Sequence, residues 1–216
     1  MTATALDGWK FDEPTHSFTD ANGSPIPSLT QILDGVGISD YSSVPIHRLE
    51  FKQHIGDAVH YAARYMDEGR LDYATVQPIW ANYLAAWQSF QDDTGFVAEG
   101  IEVPGVYSYM NMRFACIWDR LGRFPGFKHR ALVELKCAWG EEPSWAIQLA
   151  GQELTIPKTE DEFIARIAVQ LKPDATYRVW PDLNGYQDPN DRKVFLWSLC
   201  VTNFKIAKKI AWRREK

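Results

Sequence analysis

Two charged residues on one short apolar segment have the types and spacing to do chemistry. Glu134 and Lys136 are two positions apart within Leu132–Cys137, whose other members are apolar. Side chains alternate across a strand, so the two charged groups are expected on one face and their apolar neighbours on the other. A Glu-x-Lys pair on a strand is usually a solvent-facing ion pair, so its interpretation depends on the other charged and polar residues that accompany it.

A third charged residue, Asp119, ends the apolar run from Met112 to Asp119 that precedes this strand. A turn is predicted to begin at Gly105, ahead of the run, and Phe124–Phe127 contains the Pro and Gly that a hairpin connection needs. If the two runs pair, Asp119 lies near the Glu-x-Lys pair. Burying charge costs free energy unless it is paired or binds a metal, and a hard divalent cation held by oxygen ligands is one reason for placing these residues together.

Two helices are predicted ahead of these strands, and the first carries a candidate metal ligand. Apolar residues recur at helical spacing from Pro45 to Gly69 and again from about Val76 to Asp93. His60 lies near the middle of the first helix, and a strand predicted from Phe96 to Val103 has Glu102 near its end. Both are candidate site residues, with a partly buried histidine and a strand-end surface charge as the open alternatives.

The segments after the hairpin continue the alternation of helices and strands. Ser144 is a candidate N-cap for a helix from Trp145 to Leu154, which carries Gln148 and Gln152. The remaining predicted elements are strands at Phe163–Leu171 and Thr176–Trp180 and a final helix from about Pro189 to Trp212.

A small hairpin is predicted near the N-terminus. Its strands are Trp9–Phe11 and His16–Thr19, and prolines at Pro25–Pro27 are expected to break the chain after it. Ser28 then has the position of an N-cap for a short helix, Leu29–Leu33. This region is expected to pack on the remainder of the chain as an appendage.

The order of elements predicts an α/β protein in which a central mixed β-sheet is flanked by helices, with a small N-terminal hairpin. Residues 1–44 are expected to form the appendage, and residues 45–216 the core. A chain of 216 residues is within the length of one domain. Hydrophobic residues make up 45% and charged residues 24%, which argues against extensive disorder.

Charge and cysteine content exclude several classes of protein. The net charge of -5 argues against a uniformly basic surface, but basic residues concentrate in 120–130 and 205–216, which leaves room for a local phosphate-binding face. The three cysteines form no CxxC pair, which argues against a zinc ribbon or an iron–sulfur cluster. Reduced thiols, no secretory signal and no membrane-spanning run predict a cytoplasmic protein without membrane contact.

In their order along the chain, these motifs resemble the PD-(D/E)XK nuclease superfamily, and specifically its RecB-like and phage exonuclease branch. The resemblance covers about Gly56 to Gln152. The matching residues are the helical Gly56-x-x-x-His60, the strand residues Glu102 and Asp119, the pair Glu134-x-Lys136, and the helical Gln148.

This resemblance implies a restriction-endonuclease-like core and a Mg²⁺- or Mn²⁺-dependent deoxyribonuclease. Lys136 would position or activate the attacking water, and Gln148 would orient Lys136 or the substrate phosphate. The implied metal ligands are His60, Asp119, Glu134 and the backbone carbonyl of Leu135, with Glu102 as a further candidate. The implied catalytic residues are Asp119, Glu134, Lys136 and Gln148, and the implied substrate contacts are Gln148, Gln152 and Arg120.

The expected activity is hydrolysis of DNA by an exonuclease of phage or bacterial recombination and repair. The alternatives are a structure-specific endonuclease with the same site, or a DNA-binding or assembly subunit whose site has degenerated. The last is suggested by Gln152, which stands where many relatives have tyrosine, and by Ala115–Trp118, which replaces a Gly-Thr or Gly-Lys. DNA is the expected partner. A single-strand annealing or recombination protein and self-association stay open, and the location would be the bacterial host cytoplasm if the chain is phage-encoded.

Overall fold

The computed structural model of the protein describes residues 8–42, 44–110 and 112–211. The strands among these residues are β1 (Lys10–Asp12), β2 (Ser17–Thr19), β3 (Pro25–Ile26), β4 (Val97–Tyr109), β5 (Met112–Arg123), β6 (Arg130–Lys136), β7 (Ile164–Leu171) and β8 (Tyr177–Trp180). The α-helices are α1 (Leu29–Gly35), α2 (Ile46–Asp67), α3 (Pro78–Thr94), α4 (Ser144–Glu153) and α5 (Pro189–Ala207), and Tyr73–Thr75 forms one 3₁₀ turn.

A five-stranded mixed sheet lies at the centre, in the order β4-β5-β6-β7-β8. β6 and β7 are parallel and are connected through α4, whereas the other neighbours are antiparallel. Buried residues of α2 and α3 pack on one face of the sheet, and those of α1, α4 and α5 pack on the other. The predicted α/β class, with a mixed sheet between helices, is confirmed.

α2 and α3 are held against the sheet by apolar side chains that recur at helical spacing. Ile55 and Val59 of α2 are buried beside Trp87 and Phe90 of α3, whose aromatic rings are themselves stacked. α3 begins with a proline at its first position and is followed by Gly95, its C-cap, whose φ of 66° suits a residue without a side chain. Both predicted helices are confirmed to within two residues at each end.

The β4–β5 hairpin is longer than the sequence predicts. β4 continues through Gly105 to Tyr109, so the turn predicted at Gly105 is wrong. A Cβ at Gly105 would lie 2.4 Å from the hydroxyl of Thr155, so the glycine permits close packing instead of a turn. β5 likewise runs beyond Asp119 to Arg123, which places Asp119 inside a strand rather than at its end.

Three smaller predictions also need correction. Ser144 is the first residue of α4 and Pro143 its N-cap, with no side-chain capping bond. Pro25 and Ile26 form β3, an edge strand in which the missing proline N–H is tolerated. α5 ends at Ala207, while the predicted endpoint Trp212 lies outside the described residues.

The N-terminal region forms a three-stranded antiparallel sheet, β1-β2-β3, rather than a two-stranded hairpin. Phe18 and Ile26 pack with Ala115 of β5, and the Ala115 amide donates to the Pro27 carbonyl at 3.0 Å. Ser28 caps α1 as predicted. The small sheet is therefore attached to the strand that carries Asp119. Among the described residues, no helix is long and apolar enough to cross a bilayer.

Candidate metal centre

β5 and β6 separate at the point where the candidate residues lie. Their backbone pairing ends at Arg120 and Val133, and Asp119, which precedes Arg120 on β5, lies just outside the paired region. The Asp119 carboxylate then accepts a hydrogen bond from the backbone amide of Leu135 at 2.7 Å. This bond spans the opening between the strands and fixes the orientation of a side chain that is only 6% exposed.

Glu102 lies opposite Asp119 on the neighbouring strand. Its flanking residues Ile101 and Val103 pair with Arg120 and Trp118, so the position between them faces Asp119. The φ angle of Glu102 is 49°, in the left-handed region that residues within strands rarely adopt. Backbone strain of this kind costs about 1–3 kcal/mol and persists where the surroundings hold it, commonly at functional sites.

His60 completes a cluster of three possible metal ligands. It lies on α2, and its Nδ1 atom is 3.4 Å from Oδ2 of Asp119. One ligand atom each from His60, Glu102 and Asp119 come within 4.8 Å of one another. Within the part of the chain that the structure describes, this is the group of three such side chains that meets that distance. Glu134, an expected ligand, is not in this group but interacts electrostatically with His60 and Asp119.

The electrostatics of the cluster show negative charge confined in a poorly hydrated place. Burial and then the charge of Asp119 raise the pKa of Glu102 to about 7. Burial would lower the pKa of His60, but the charges of Asp119, Glu134 and Glu102 outweigh it and raise that pKa to about 9. Burial opposes ionisation of Asp119 too, yet His60 and Arg120 hold its pKa below the usual range.

Glu134 and Lys136 project from β6 on the same face, as predicted, and are joined there by Gln148 of α4. The Lys136 ammonium lies 3.1 Å from Oε1 of Glu134 and 2.9 Å from Oε1 of Gln148. Gln148 in turn donates to Glu134 at 2.5 Å. Gln152 donates to the other oxygen of Glu134 at 2.8 Å. Burial and the nearby Asp119 charge raise the pKa of Glu134.

Arg120 is buried next to the cluster and does not face solvent. Its side chain is fully buried, and it donates to Asp67 at 2.5 Å and to Glu102 at 3.0 Å. A buried guanidinium group offers no surface to a substrate phosphate, so its position is that of a group that holds Glu102. Asp67 was not among the predicted site residues, although its spacing of seven residues from His60 places both on one face of α2.

A cavity of about 230 Å³ opens beside Glu134, and the N-terminal sheet forms one of its walls. His16 and Phe18 line it from the N-terminal side, and Gln148 and Gln152 from α4. His16 also lies 3.2 Å from the Tyr61 hydroxyl of α2. The region predicted as an appendage therefore contributes to the space next to the candidate residues.

The donor set fits a divalent cation that prefers oxygen ligands. Two carboxylates and one imidazole converge, and carboxylates are the ligands that suit Mg²⁺ and Mn²⁺. Burial first, and the charge of Asp119 second, raise the pKa of Glu102, and a cation bound between the two carboxylates would favour their ionised forms. Glu134 is next to this set and is held by neutral amides and by Lys136.

The structure thus brings His60, Glu102, Asp119, Glu134, Lys136 and Gln148 into one region. Leu135 contributes its amide to Asp119, and Gln152 is buried behind Glu134. A scan against models of known protein families finds no match for this chain. A search of curated proteins also finds no significantly similar sequence. The function is therefore argued from the site itself.

Proposed function

We propose that this protein is a divalent-metal-dependent deoxyribonuclease of the PD-(D/E)XK type, with a restriction-endonuclease-like core, that acts as an exonuclease in recombination or repair. The observation that carries the proposal is the convergence of His60, Glu102 and Asp119 within 4.8 Å. Beside this cluster lies a lysine bonded to both a carboxylate and a glutamine. The order of the motifs along the chain, from Gly56-x-x-x-His60 to Gln148, supports the same hypothesis.

His60, Glu102 and Asp119 would hold the ion, with Glu134 next to them. A bound Mg²⁺ or Mn²⁺ supplies charge neutralisation for the phosphodiester and activation of water. Asp119 is oriented for this task by the Leu135 amide, and Glu102 by Arg120. Both carboxylates are thereby fixed before substrate arrives, which limits the reorganisation that the reaction requires.

Lys136 is the chain's own cation at the reaction centre. Gln148 and Glu134 hold its ammonium group in place, so one of its protons is free to be donated to a phosphate oxygen or to the attacking water. Such a donor stabilises charge that develops on the phosphoryl oxygens in the transition state. Gln148 links Lys136 with Glu134, so all three act as one unit.

Replacing Glu134 by Ala tests the proposal. We expect the variant to lose hydrolysis of linear DNA in Mg²⁺, while Glu99→Ala, which removes an exposed carboxylate on β4, keeps it. Wild-type turnover by Glu134→Ala would contradict the assignment. Covalently closed circular DNA tests the exonuclease assignment: an exonuclease leaves it intact, whereas cleavage would identify the endonuclease alternative.

One observation favours a second candidate, a DNA-binding or assembly subunit without catalysis. Gln148 and Gln152 together donate to both oxygens of Glu134, so the carboxylate has partners without an ion. If the wild-type protein bound DNA but neither took up Mn²⁺ in a calorimetric titration nor hydrolysed DNA, this candidate would replace the nuclease.

A further inference from the structure

The loop that follows β6 exposes a tryptophan to solvent shortly after the candidate residue Lys136. Trp139 is three residues beyond Lys136 and is 89% exposed, the most exposed large hydrophobic side chain among the described residues. A freely exposed indole leaves a large apolar surface in water. An exposed side chain of this size offers a surface that a flat ligand can cover.

Trp139 lies in a loop that hydrogen bonds fix on both sides of the tryptophan. Ordered loops hold their side chains in place, so the ring is presented to solvent by a fixed support. The ties are hydrogen bonds from Gln170 to the Ala138 carbonyl at 2.8 Å, from Tyr186 to Glu141 at 2.7 Å, and from Tyr41 to Glu142 at 2.7 Å.

Lys52 occupies one side of the indole. Its ammonium nitrogen lies 4.4 Å from the ring centroid, within the range of a cation–π contact. Lys52 is on α2, eight residues before His60, so the same helix carries the cation and a metal-ligand candidate. Because the ring remains 89% exposed despite this contact, a second flat group has room to stack on it.

We infer that Trp139 and Lys52 form a stacking site for one base of single-stranded DNA on the approach to the catalytic cluster. The inference rests on the proposed nuclease function and names the form of substrate that this site holds. An indole offers a surface on which any base can stack, and a lysine beside it suits the adjoining phosphate. Internal bases of a duplex are already stacked on both faces, so an unpaired base is the occupant that fits.

A fluorescence titration with a single-stranded oligonucleotide that contains 2-aminopurine tests the stacking site. It is done with a chelator present, so that no hydrolysis intervenes. Binding to the wild-type protein is expected to quench the probe. Trp139→Ala should lose the quenching and bind about tenfold more weakly, whereas Trp139→Phe should keep most of both. Lys52→Met should weaken binding and flatten its dependence on salt.

Trp197→Ala is the matched control, because Trp197 is also an exposed indole, at 65%, but lies on α5. It should bind the oligonucleotide like the wild type, and all variants should share its unfolding temperature. Equal quenching by wild type and Trp139→Ala would overturn the inference. It would also be overturned if Trp139→Ala lost as much affinity for a blunt duplex as for the single-stranded oligonucleotide. If quenching depended on Trp139 in a protein that never hydrolysed DNA, the stacking site would stand and the nuclease proposal would fail.

Discussion

At the scale of residues, the site consists of two groups that share one opening in the sheet. His60, Glu102 and Asp119 are the proposed metal ligands, and Lys136 with its partners supplies a cation and hydrogen-bond donors. The two groups are coupled by charge. Burial is the main cause of the raised pKa of Glu134, and the charge of Asp119 is the second. Their tasks are separable, since Lys136 contacts none of the three ligand side chains in the hydrogen bonds described.

Replacing Lys136 by Ala separates these tasks. We expect kcat for DNA hydrolysis to fall by about 100-fold or more, which is the typical cost of removing one preorganised donor from a transition state. The Mn²⁺ concentration for half-maximal rate should change little. Lys128→Ala is the matched control, because Lys128 is an exposed lysine in the turn between β5 and β6. This variant should retain the wild-type rate. Unchanged kcat in Lys136→Ala would remove the lysine from the mechanism.

Local spacing predicted part of the site well. The period-two alternation of β6 placed Glu134 and Lys136 together, and the helix after it brought Gln148 within reach. The close approach of Glu102 to Asp119 depends on the register of β4 against β5, which spacing alone does not supply. For the same reason the burial of Arg120 beneath Glu102 was not foreseen.

At the scale of elements, two arginines of β5 each form a salt bridge with a glutamate of β4 but differ in burial. Arg120 bonds Asp67 and Glu102 with none of its side chain exposed. Arg123 bonds Glu99 on β4 with nearly half of each side chain exposed. A buried ion pair that loses one member leaves an uncompensated charge, whereas an exposed pair is replaced by water.

Arg120→Met is therefore expected to lower the free energy of unfolding by about 3–5 kcal/mol, as measured by urea denaturation. The matched variant Arg123→Met should lower it by at most about 1 kcal/mol. Similar losses in both would show that Arg120 does not sit in a closed charge network. Any loss of activity in Arg120→Met is expected to act through Glu102 and Asp119, which Arg120 bonds and stabilises electrostatically, since Arg120 itself has no exposed surface.

The attachment of the N-terminal sheet should depend on pH through Asp20. The hydrogen bond from Arg113 on β5, together with the Ser24 amide, lowers the pKa of Asp20 below 3.8. A carboxyl with a depressed folded-state pKa stabilises the fold above about pH 4 and loses that contribution as pH falls. Asp20→Asn should thus be less stable than the wild type at pH 7, with the difference shrinking toward pH 3. Urea unfolding at both pH values tests this, and a constant difference would contradict it.

Helices and strands with clear periodicity were predictable, whereas elements set by tertiary packing were not. α2 and α3 follow from their apolar stripes, and their ends from Gly and Pro. Gly105 has the residue type of a turn, but it lies within β4 because Thr155 and Trp118 crowd its position. β3 forms from only two residues because β2 is present to pair with them.

At the scale of the whole molecule, the proposed site is formed by the helices on both faces of the central sheet together with the small N-terminal sheet. α2 brings His60 from one face of the central sheet, while α4 brings Gln148 from the other. The opening between β5 and β6 connects them, and the N-terminal sheet closes one side of the adjoining cavity. The order of elements predicted the central sheet and its helices, but the wall formed by the N-terminal sheet emerges only from three-dimensional packing.

The rate of linear DNA hydrolysis as a function of Mn²⁺ concentration, compared between the wild type and His60→Ala, tests the central claim most directly. The wild-type rate should saturate with Mn²⁺ and vanish with a chelator. Loss of one of the three proposed ligands should raise the half-maximal concentration in His60→Ala by at least about tenfold, since even indirect changes around a metal cost about 10–100-fold. Hydrolysis that persists with a chelator, or the same Mn²⁺ dependence in both proteins, would contradict a metal site at His60, Glu102 and Asp119.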